Sequence, residues 1–156
     1  MSFEGTGGTG GMGGTGGVVD VDGYLGSRVG LHRRIGLKAF ARNSASILDL
    51  LDTRDLDAFF SHFHEHARFR FGSQEAVCGK QNIIAHVRGF LDSVLRMQHA
   101  VKKEVVSDDL IVVIGDVVYE MANGKSARLP FCDTWKLTSD FLIIDYQVFS
   151  DPTPLA

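Results

Sequence analysis

Residues 110–137 read LIVVIGDVVYEMANGKSARLPFCDTWKL, two strand-like runs joined by Asn123-Gly124. Asn-Gly between two β-rich runs is the strongest short-range hairpin signal, because both residues tolerate positive φ. A two-residue turn at this point places Asp133 opposite Ile114. The stretch therefore predicts a long antiparallel hairpin, and its register decides which side chains share a face.

One face of this hairpin is apolar apart from a carboxyl group. On the second run it carries Leu129, Phe131, Asp133 and Trp135. In the predicted register Asp116 and Val118 of the first run join that face, which we take as the concave side of the sheet. The convex side would then carry Tyr119, Val117, Val113 and Thr134.

The residues around the hairpin complete an α+β pattern. Apolar residues recur at helical spacing in 37–53, 56–67 and 80–96, whereas 67–72, 97–107 and 141–151 have strand-like patterns. Two helices, a strand, a helix and four strands favour a mostly antiparallel sheet with segregated helices. We expect a cone-shaped α+β barrel, its curved sheet wrapped round a long helix and enclosing an apolar pocket.

The N-terminal residues differ in composition from this domain. Residues 1–17 are about half glycine and consist largely of GTGG units. Such a stretch has little to bury and much conformational entropy to lose, so we predict a disordered tail. Residues 18–36 form a transitional segment, and 37–156 form the folded domain.

Composition excludes several classes of protein. The chain has 156 residues, 44% of them hydrophobic, and a net charge of −3, which gives no basic field for nucleic acid. It has no apolar run near the roughly 18 residues of a membrane span, and no signal-peptide pattern at its start. We therefore expect a cytoplasmic protein with neither nucleic acid nor membrane as partner.

Metal ligands and cofactor motifs are also missing from the pattern. Cys78 and Cys132 lack a paired spacing. His62, His64 and His66 fall in the predicted helix 56–67, where residues two apart point to different sides. We predict no metal site and no cofactor.

Two segments resemble a known superfamily. ARFRFGSQEAVCGKQNII (67–84) and LPFCDTWKL…LIIDYQVFSD (129–151) are similar to the nuclear-transport-factor-2-like (NTF2-like) superfamily, and most of all to its SnoaL-like branch, which includes polyketide cyclases. The resemblance covers about 37–155. It implies a cone with a pocket for a small hydrophobic molecule and pairing of two subunits through the convex sheet face. It does not fix the activity, because the superfamily contains isomerases, dehydratases, epoxide hydrolases, cyclases and non-catalytic binders.

Asp133 is the leading candidate for chemistry. A carboxyl group in an apolar pocket is costly to ionise, so its pKa should rise and it could act as an acid or hydrogen-bond donor. The neutral aspartic acid of ketosteroid isomerase resembles Asp133 in its strand. That enzyme's base and oxyanion-hole tyrosine, however, would fall near Phe71 and Ile47, and the last-strand aspartate of limonene epoxide hydrolases near Val148.

Two residues could act as partners of Asp133. His99 follows the long helix, where an imidazole would work near neutral pH, and Asp116 is predicted on the same face. The expected ligand-binding side chains are Phe69, Phe71, Val118, Phe131, Trp135 and Phe149. The alternatives are a structural aspartate and a histidine satisfied at the sheet rim.

Two functions follow from these residues. The first is cofactor-independent acid–base catalysis on a small hydrophobic molecule, by isomerisation, cyclisation, dehydration or epoxide hydrolysis. The second is a non-catalytic module that binds a ligand or mediates oligomerisation.

Overall fold

The computed structural model describes residues 28–156. The predicted Gly-rich tail, 1–17, lies outside the described residues, as does the first part of the transitional segment. The helices are α1 (Arg28–Ala41), α2 (Ser44–Asp52), α3 (Leu56–Ser61), α4 (Lys80–Leu91) and a final 3-10 helix (Thr153–Leu155). The strands are β1 (Phe63–Phe71), β2 (Val77–Cys78), β3 (Val94–Ser107), β4 (Leu110–Met121), β5 (Ser126–Leu137) and β6 (Ile143–Phe149).

The strands form one mixed sheet in the order β2-β1-β6-β5-β4-β3. Strands β1 and β6 are parallel, and the other neighbours are antiparallel. Helix α2 packs on β3 and α4 packs on β1, so the helices cover the concave face. The predicted α+β cone is confirmed, with the sheet open rather than closed into a barrel. None of the described helices is long and apolar enough to cross a membrane.

The core lies between the helices and the concave face. Residues of β4 alternate strictly between buried and more exposed, which is the pattern of a strand with one face on a core. Trp135, Leu48 and Ile111 are fully buried. Removal of these apolar side chains from water is the main force that holds the helices on the sheet.

The turn at Asn123-Gly124 has three residues, and the predicted two-residue turn is wrong. The amide of Met121 donates to the carbonyl of Lys125 at 2.8 Å, and Gly124 has a φ of 84°. This is the three-residue hairpin loop that needs a left-handed residue, usually Gly, at its end. Asp133 therefore lies opposite Val113 and not Ile114.

A shift of one residue exchanges the two faces of β4. Asp116 and Val118 lie on the convex face, contrary to the prediction. Val113, Val117 and Tyr119 are buried on the concave face, and were wrongly expected on the convex one. Asp133 and Phe131 keep their predicted face because the alternation within β5 is unchanged.

The predicted helix 56–67 is also too long. Helix α3 ends at Ser61, and β1 begins at Phe63. On this strand the His64 and His66 rings lie side by side, with centroids 5.6 Å apart. The helical separation expected of these histidines was therefore wrong, because the strand pattern that ends in Phe69 and Phe71 begins earlier than predicted.

Helix α4 ends at Leu91, five positions before the predicted end of this helix at residue 96. The guanidinium group of Arg54 donates to the carbonyl oxygen of Leu91 at 3.0 Å and to that of Val94 at 2.5 Å. The first bond satisfies the carbonyl group of the last helical residue, which has no partner in the helix, and the second holds the first residue of β3. They also fix the point at which the chain enters β3.

Gly115 allows β3 and β4 to approach each other beside the site. A Cβ at this position would lie 2.2 Å from the carbonyl oxygen of Ala100 and 2.9 Å from the ring of Phe131. Strand β3 has an irregular register between Val101 and Lys103 at the same level. A side chain at position 115 would push His99 and its neighbours out of place.

Candidate functional site

A small cavity of about 60 Å³ lies between the concave face and helices α2, α3 and α4. Its walls are mainly apolar. The polar side chains that reach it are His99, Tyr119, Asp133, Tyr146 and Ser150, and no described lining residue is Lys or Arg. The cavity is thus a mainly apolar chamber in which a few polar groups converge, as in most small-molecule sites.

Asp133 lies in this cavity, as predicted, and is only 2% exposed. The Tyr146 hydroxyl donates to its Oδ2 at 2.5 Å. No described residue donates a hydrogen bond to Oδ1. One carboxyl oxygen is therefore held by the protein, while the other has no hydrogen-bond partner among the described residues.

Burial raises the pKa of Asp133 from 3.8 to about 7, although the hydrogen bond from Tyr146 and the charge of His99 act in the opposite direction. Desolvation outweighs these two effects because a carboxylate removed from water is disfavoured relative to the neutral acid. We therefore expect a substantial fraction of Asp133 to be protonated near neutral pH.

His99 also lines the cavity, as predicted, but its partner is Asp52. The Nδ1 atom of His99 lies 2.6 Å from Asp52 Oδ1, and its backbone amide donates to Asp52 Oδ2 at 2.7 Å. Both side chains are about nine-tenths buried, at 9% and 10% exposure. Because a carboxylate accepts, Nδ1 carries a proton in this contact, and Nε2 is the ring nitrogen left to exchange a proton with a ligand.

Sequence analysis missed Asp52. It follows Leu48 by four positions on α2, so both residues lie on the same helix face. Leu48 is fully buried. The signal in the sequence was the position of Asp52 on the buried face of its helix, four residues after Leu48.

Two tyrosines complete the polar wall. Tyr146, which sequence analysis also missed, lies opposite Trp135 on β5, one diagonal step from Asp133. Tyr119 enters the cavity because of the register shift, and its ring packs edge-on against Phe90. Burial, followed by the charge of Asp133, raises the pKa of Tyr119, so its hydroxyl stays protonated.

The proposed partner Asp116 lies away from the cavity. Its carboxylate pairs with Lys102 at 2.6 Å and Arg128 at 3.7 Å on the convex face. The prediction that it shares the pocket with Asp133 is wrong, because the three-residue turn places Asp116 on the opposite face of β4.

The predicted ligand-binding side chains divide into two groups. Phe69, Phe71 and Phe131 line the cavity. Val118 and Phe149 lie on the convex face, where Phe149 pairs with Cys132 and is 49% exposed. Trp135 is on the concave side but packs in the core against Phe40 and Tyr146 instead of lining the cavity.

The site can move a proton in both directions. His99 Nε2 can accept a proton and Asp133 can donate one, and both groups face the same apolar chamber. Among residues 28–156, no three His, Cys, Asp or Glu side chains are grouped so as to hold a metal ion.

Three of the solved structures that share this fold illustrate the likeness. An NTF2-like protein of unknown function from Burkholderia pseudomallei has a TM-score of 0.65 and 18% identity, over 83% of this chain and 95% of that one. An LEH-like epoxide hydrolase from M. tuberculosis has a TM-score of 0.63 and 10% identity, over 73% and 84% of the two chains. A putative SnoaL-like polyketide cyclase from Shewanella putrefaciens CN-32 has a TM-score of 0.63 and 16% identity, over 73% and 90%.

At such low identities these likenesses establish the cone fold and leave the activity open. No curated protein matches the chain in sequence. The sequence itself matches the SnoaL-like domain over residues 45–146, and the chain therefore belongs to the SnoaL-like family.

Proposed function

We propose that this protein binds a small hydrophobic molecule in the cone and moves a proton on it without a cofactor. The observation that carries the proposal is the convergence of two differently prepared groups on one chamber. His99 is prepared as a base by Asp52, and Asp133 is prepared as an acid by burial. Pairs of titratable groups whose environments separate their protonation states are the usual mark of acid–base catalysis.

The base is His99. The Asp52 carboxylate bonds both the ring and the backbone amide of His99, and these two bonds fix the tautomer and the direction of the imidazole. The ring is held further by its edge-on contact with Phe131, with centroids 5.3 Å apart. A base positioned in this way contributes roughly 10²–10⁴-fold to a proton transfer.

The acid is Asp133. Tyr146 holds Oδ2, so a proton on Oδ1 points to a group in the chamber. A carbonyl oxygen of the bound molecule can accept this hydrogen bond while His99 removes a proton from the adjacent carbon. The geometry therefore favours isomerisation or cyclisation of a carbonyl compound through an enol.

Epoxide hydrolysis is the next reaction that the same groups support. His99 would then activate water and Asp133 would protonate the epoxide oxygen. The likeness to an LEH-like epoxide hydrolase and to a putative SnoaL-like polyketide cyclase supports both reaction classes for this fold.

Exchange of substrate hydrogen with D2O tests the proposal. Enones, 1,3-diketones and epoxides are incubated with the wild type, His99→Gln and Asp133→Asn, and followed by proton NMR. We expect exchange at the carbon beside a carbonyl, slowed about 100-fold or more in both variants. Equal rates for wild type and His99→Gln across the panel would overturn it. Diol formation from an epoxide without carbon exchange would support hydrolysis instead.

A non-catalytic binding module is the second candidate. Two apolar residues favour it, because Ile47 and Phe71 stand near the positions where ketosteroid isomerase has its oxyanion-hole tyrosine and its base. If it is correct, Asp133→Asn leaves the affinity for a ligand nearly unchanged, and no compound of the panel is turned over.

We also propose a homodimer formed through the convex face. Val105, Ile114 and Phe149 expose 41%, 37% and 49% of their surfaces there. Ile114 and Phe149 lie on either side of Cys132 in one cross-strand row. An apolar patch of this kind on a sheet is normally covered, and a second copy with the same patch supplies a self-complementary surface.

Sedimentation analysis tests the dimer. Ile114→Lys should shift the protein to monomer, whereas Leu95→Lys, at an exposed position outside the row, should not. A wild-type protein that is monomeric at high micromolar concentration would contradict the proposal.

A further inference from the structure

A second, larger cavity adjoins the catalytic chamber. Its volume is about 480 Å³, and we call it the vestibule. The vestibule and the chamber share the lining residues Phe69, Phe71, Val87 and Phe90. These four apolar side chains are the wall between the two spaces, so a ligand that parts them would occupy both.

Gly89 lies in the wall of the vestibule, inside helix α4. Glycine within a helix costs about 1 kcal/mol relative to alanine. Neither a positive φ nor a tight contact requires it here, because a Cβ would have no neighbour within 4 Å among the described residues. The effect of the missing side chain is to leave space in the vestibule.

The two cavities differ in what they can hold. The chamber is small and is lined by Asp133, whose Oδ1 has no partner among the described residues, so it suits a compact polar head. The vestibule has apolar walls with Gln74 and His86 as its polar side chains. None of the described lining residues of either cavity is Lys or Arg, so an uncharged ligand suits both spaces better than a carboxylate or phosphate.

We infer that the vestibule binds the larger, uncharged apolar part of the ligand, and that Gly89 determines how large this part can be. The substrate class is thus a neutral molecule with a small oxygen-bearing head and a bulky hydrophobic body. The assignment of the head rests on the proposed function, whereas the assignment of the body rests on the vestibule and Gly89.

Two ketones that differ only in this body test the inference. Binding of cyclohexanone and 4-phenylcyclohexanone is measured by NMR titration for the wild type, Gly89→Leu and Gln81→Leu. Burial of the phenyl group should make the wild type bind the larger ketone about tenfold or more tightly. Gly89→Leu should abolish this preference and leave cyclohexanone binding within about twofold, since the head site is separate.

Gln81→Leu is the matched control, because Gln81 is an exposed residue of the same helix that lines neither cavity. It should bind both ketones as the wild type does. Gly89→Ala should show a smaller loss of preference together with a higher melting temperature, which separates lost space from lost folding.

Two results would overturn the inference: no preference of the wild type for 4-phenylcyclohexanone, or an unchanged preference in Gly89→Leu. Failure of the proposed function gives a different result. The preference and its loss in Gly89→Leu would then remain, while no hydrogen exchange depends on His99.

Discussion

Asp52 bonds His99 twice, through the ring nitrogen Nδ1 at 2.6 Å and through the backbone amide at 2.7 Å. The two residues come from different layers of the fold, since Asp52 ends helix α2 and His99 lies in strand β3. The contact therefore joins helix to sheet and directs Nε2 into the chamber. Asp133, to which we assign the opposite proton function, lies on β5 of the sheet.

Asp52→Asn should reduce the rate of proton exchange by roughly 10²–10⁴-fold, because an amide no longer fixes the productive tautomer. The fold should survive, since the amide fits the same space. The measurement is the exchange rate of the best substrate of the panel. Asp49→Asn, an exposed carboxylate on the same helix, should leave the rate unchanged. Equal rates for Asp52→Asn and the wild type would show that the contact is structural only.

The stability of the protein should depend on pH through Asp133. Burial raises its pKa from 3.8 to about 7, so the folded state holds a proton that the unfolded state releases. The stabilisation that comes from this bound proton is fully present below about pH 4 and is lost as pH rises towards 7. Relative to Asp133→Asn, the wild type should lose free energy of unfolding between pH 4 and 7 and then level off. Urea denaturation of both proteins checks this, and a constant difference across the range would contradict it.

Tyr146→Phe should raise the pKa of Asp133 further. The Tyr146 hydrogen bond lowers that pKa by stabilising the carboxylate, so its removal leaves desolvation less opposed. The alkaline limit of activity should move to higher pH, and stability should fall by about 1 kcal/mol for the lost bond. The measurement is the pH–rate profile of the variant beside that of the wild type. A shift of the alkaline limit to lower pH would show that Tyr146 acts on the site by another route.

Gly115→Ala should destabilise the protein by about 1–3 kcal/mol, because the new methyl group would overlap the Ala100 carbonyl. Gly89→Ala is the matched glycine, with nothing near its added Cβ, and should stabilise by up to about 1 kcal/mol. Thermal unfolding followed by circular dichroism compares the two. Equal effects of the two substitutions would mean that the close approach of β3 and β4 at Gly115 is relaxed at no cost.

The sequence predicted the fold and the concave position of Asp133 because both depend on local periodicity. The alternation of β5 placed Asp133 and Phe131 on the apolar face whatever the register of the hairpin. Positions on β4 depended on whether the turn used two residues or three. Asn-Gly is compatible with either length, and Asp116 and Tyr119 were exchanged for this reason.

Tertiary pairs were beyond the sequence. Asp52 reaches His99 across 47 positions of the chain, and no local pattern sets that distance. Tyr146 reaches Asp133 through the register between β5 and β6, which has an irregularity between Lys136 and Leu137. Contacts that depend on how elements pack, rather than on how each element is patterned, need the structure.

The protonation of Asp133 near neutral pH is the central claim, and carboxyl-carbon NMR titration of the ligand-free protein tests it most directly. The signal absent from Asp133→Asn should titrate with a midpoint of about 7, as burial of this carboxyl group requires. A midpoint at or below the ordinary aspartate value of about 3.9 would mean that the carboxylate is ionised in the chamber at neutral pH. Asp133 could then not serve as the acid, and the binding-module interpretation would replace the catalytic one.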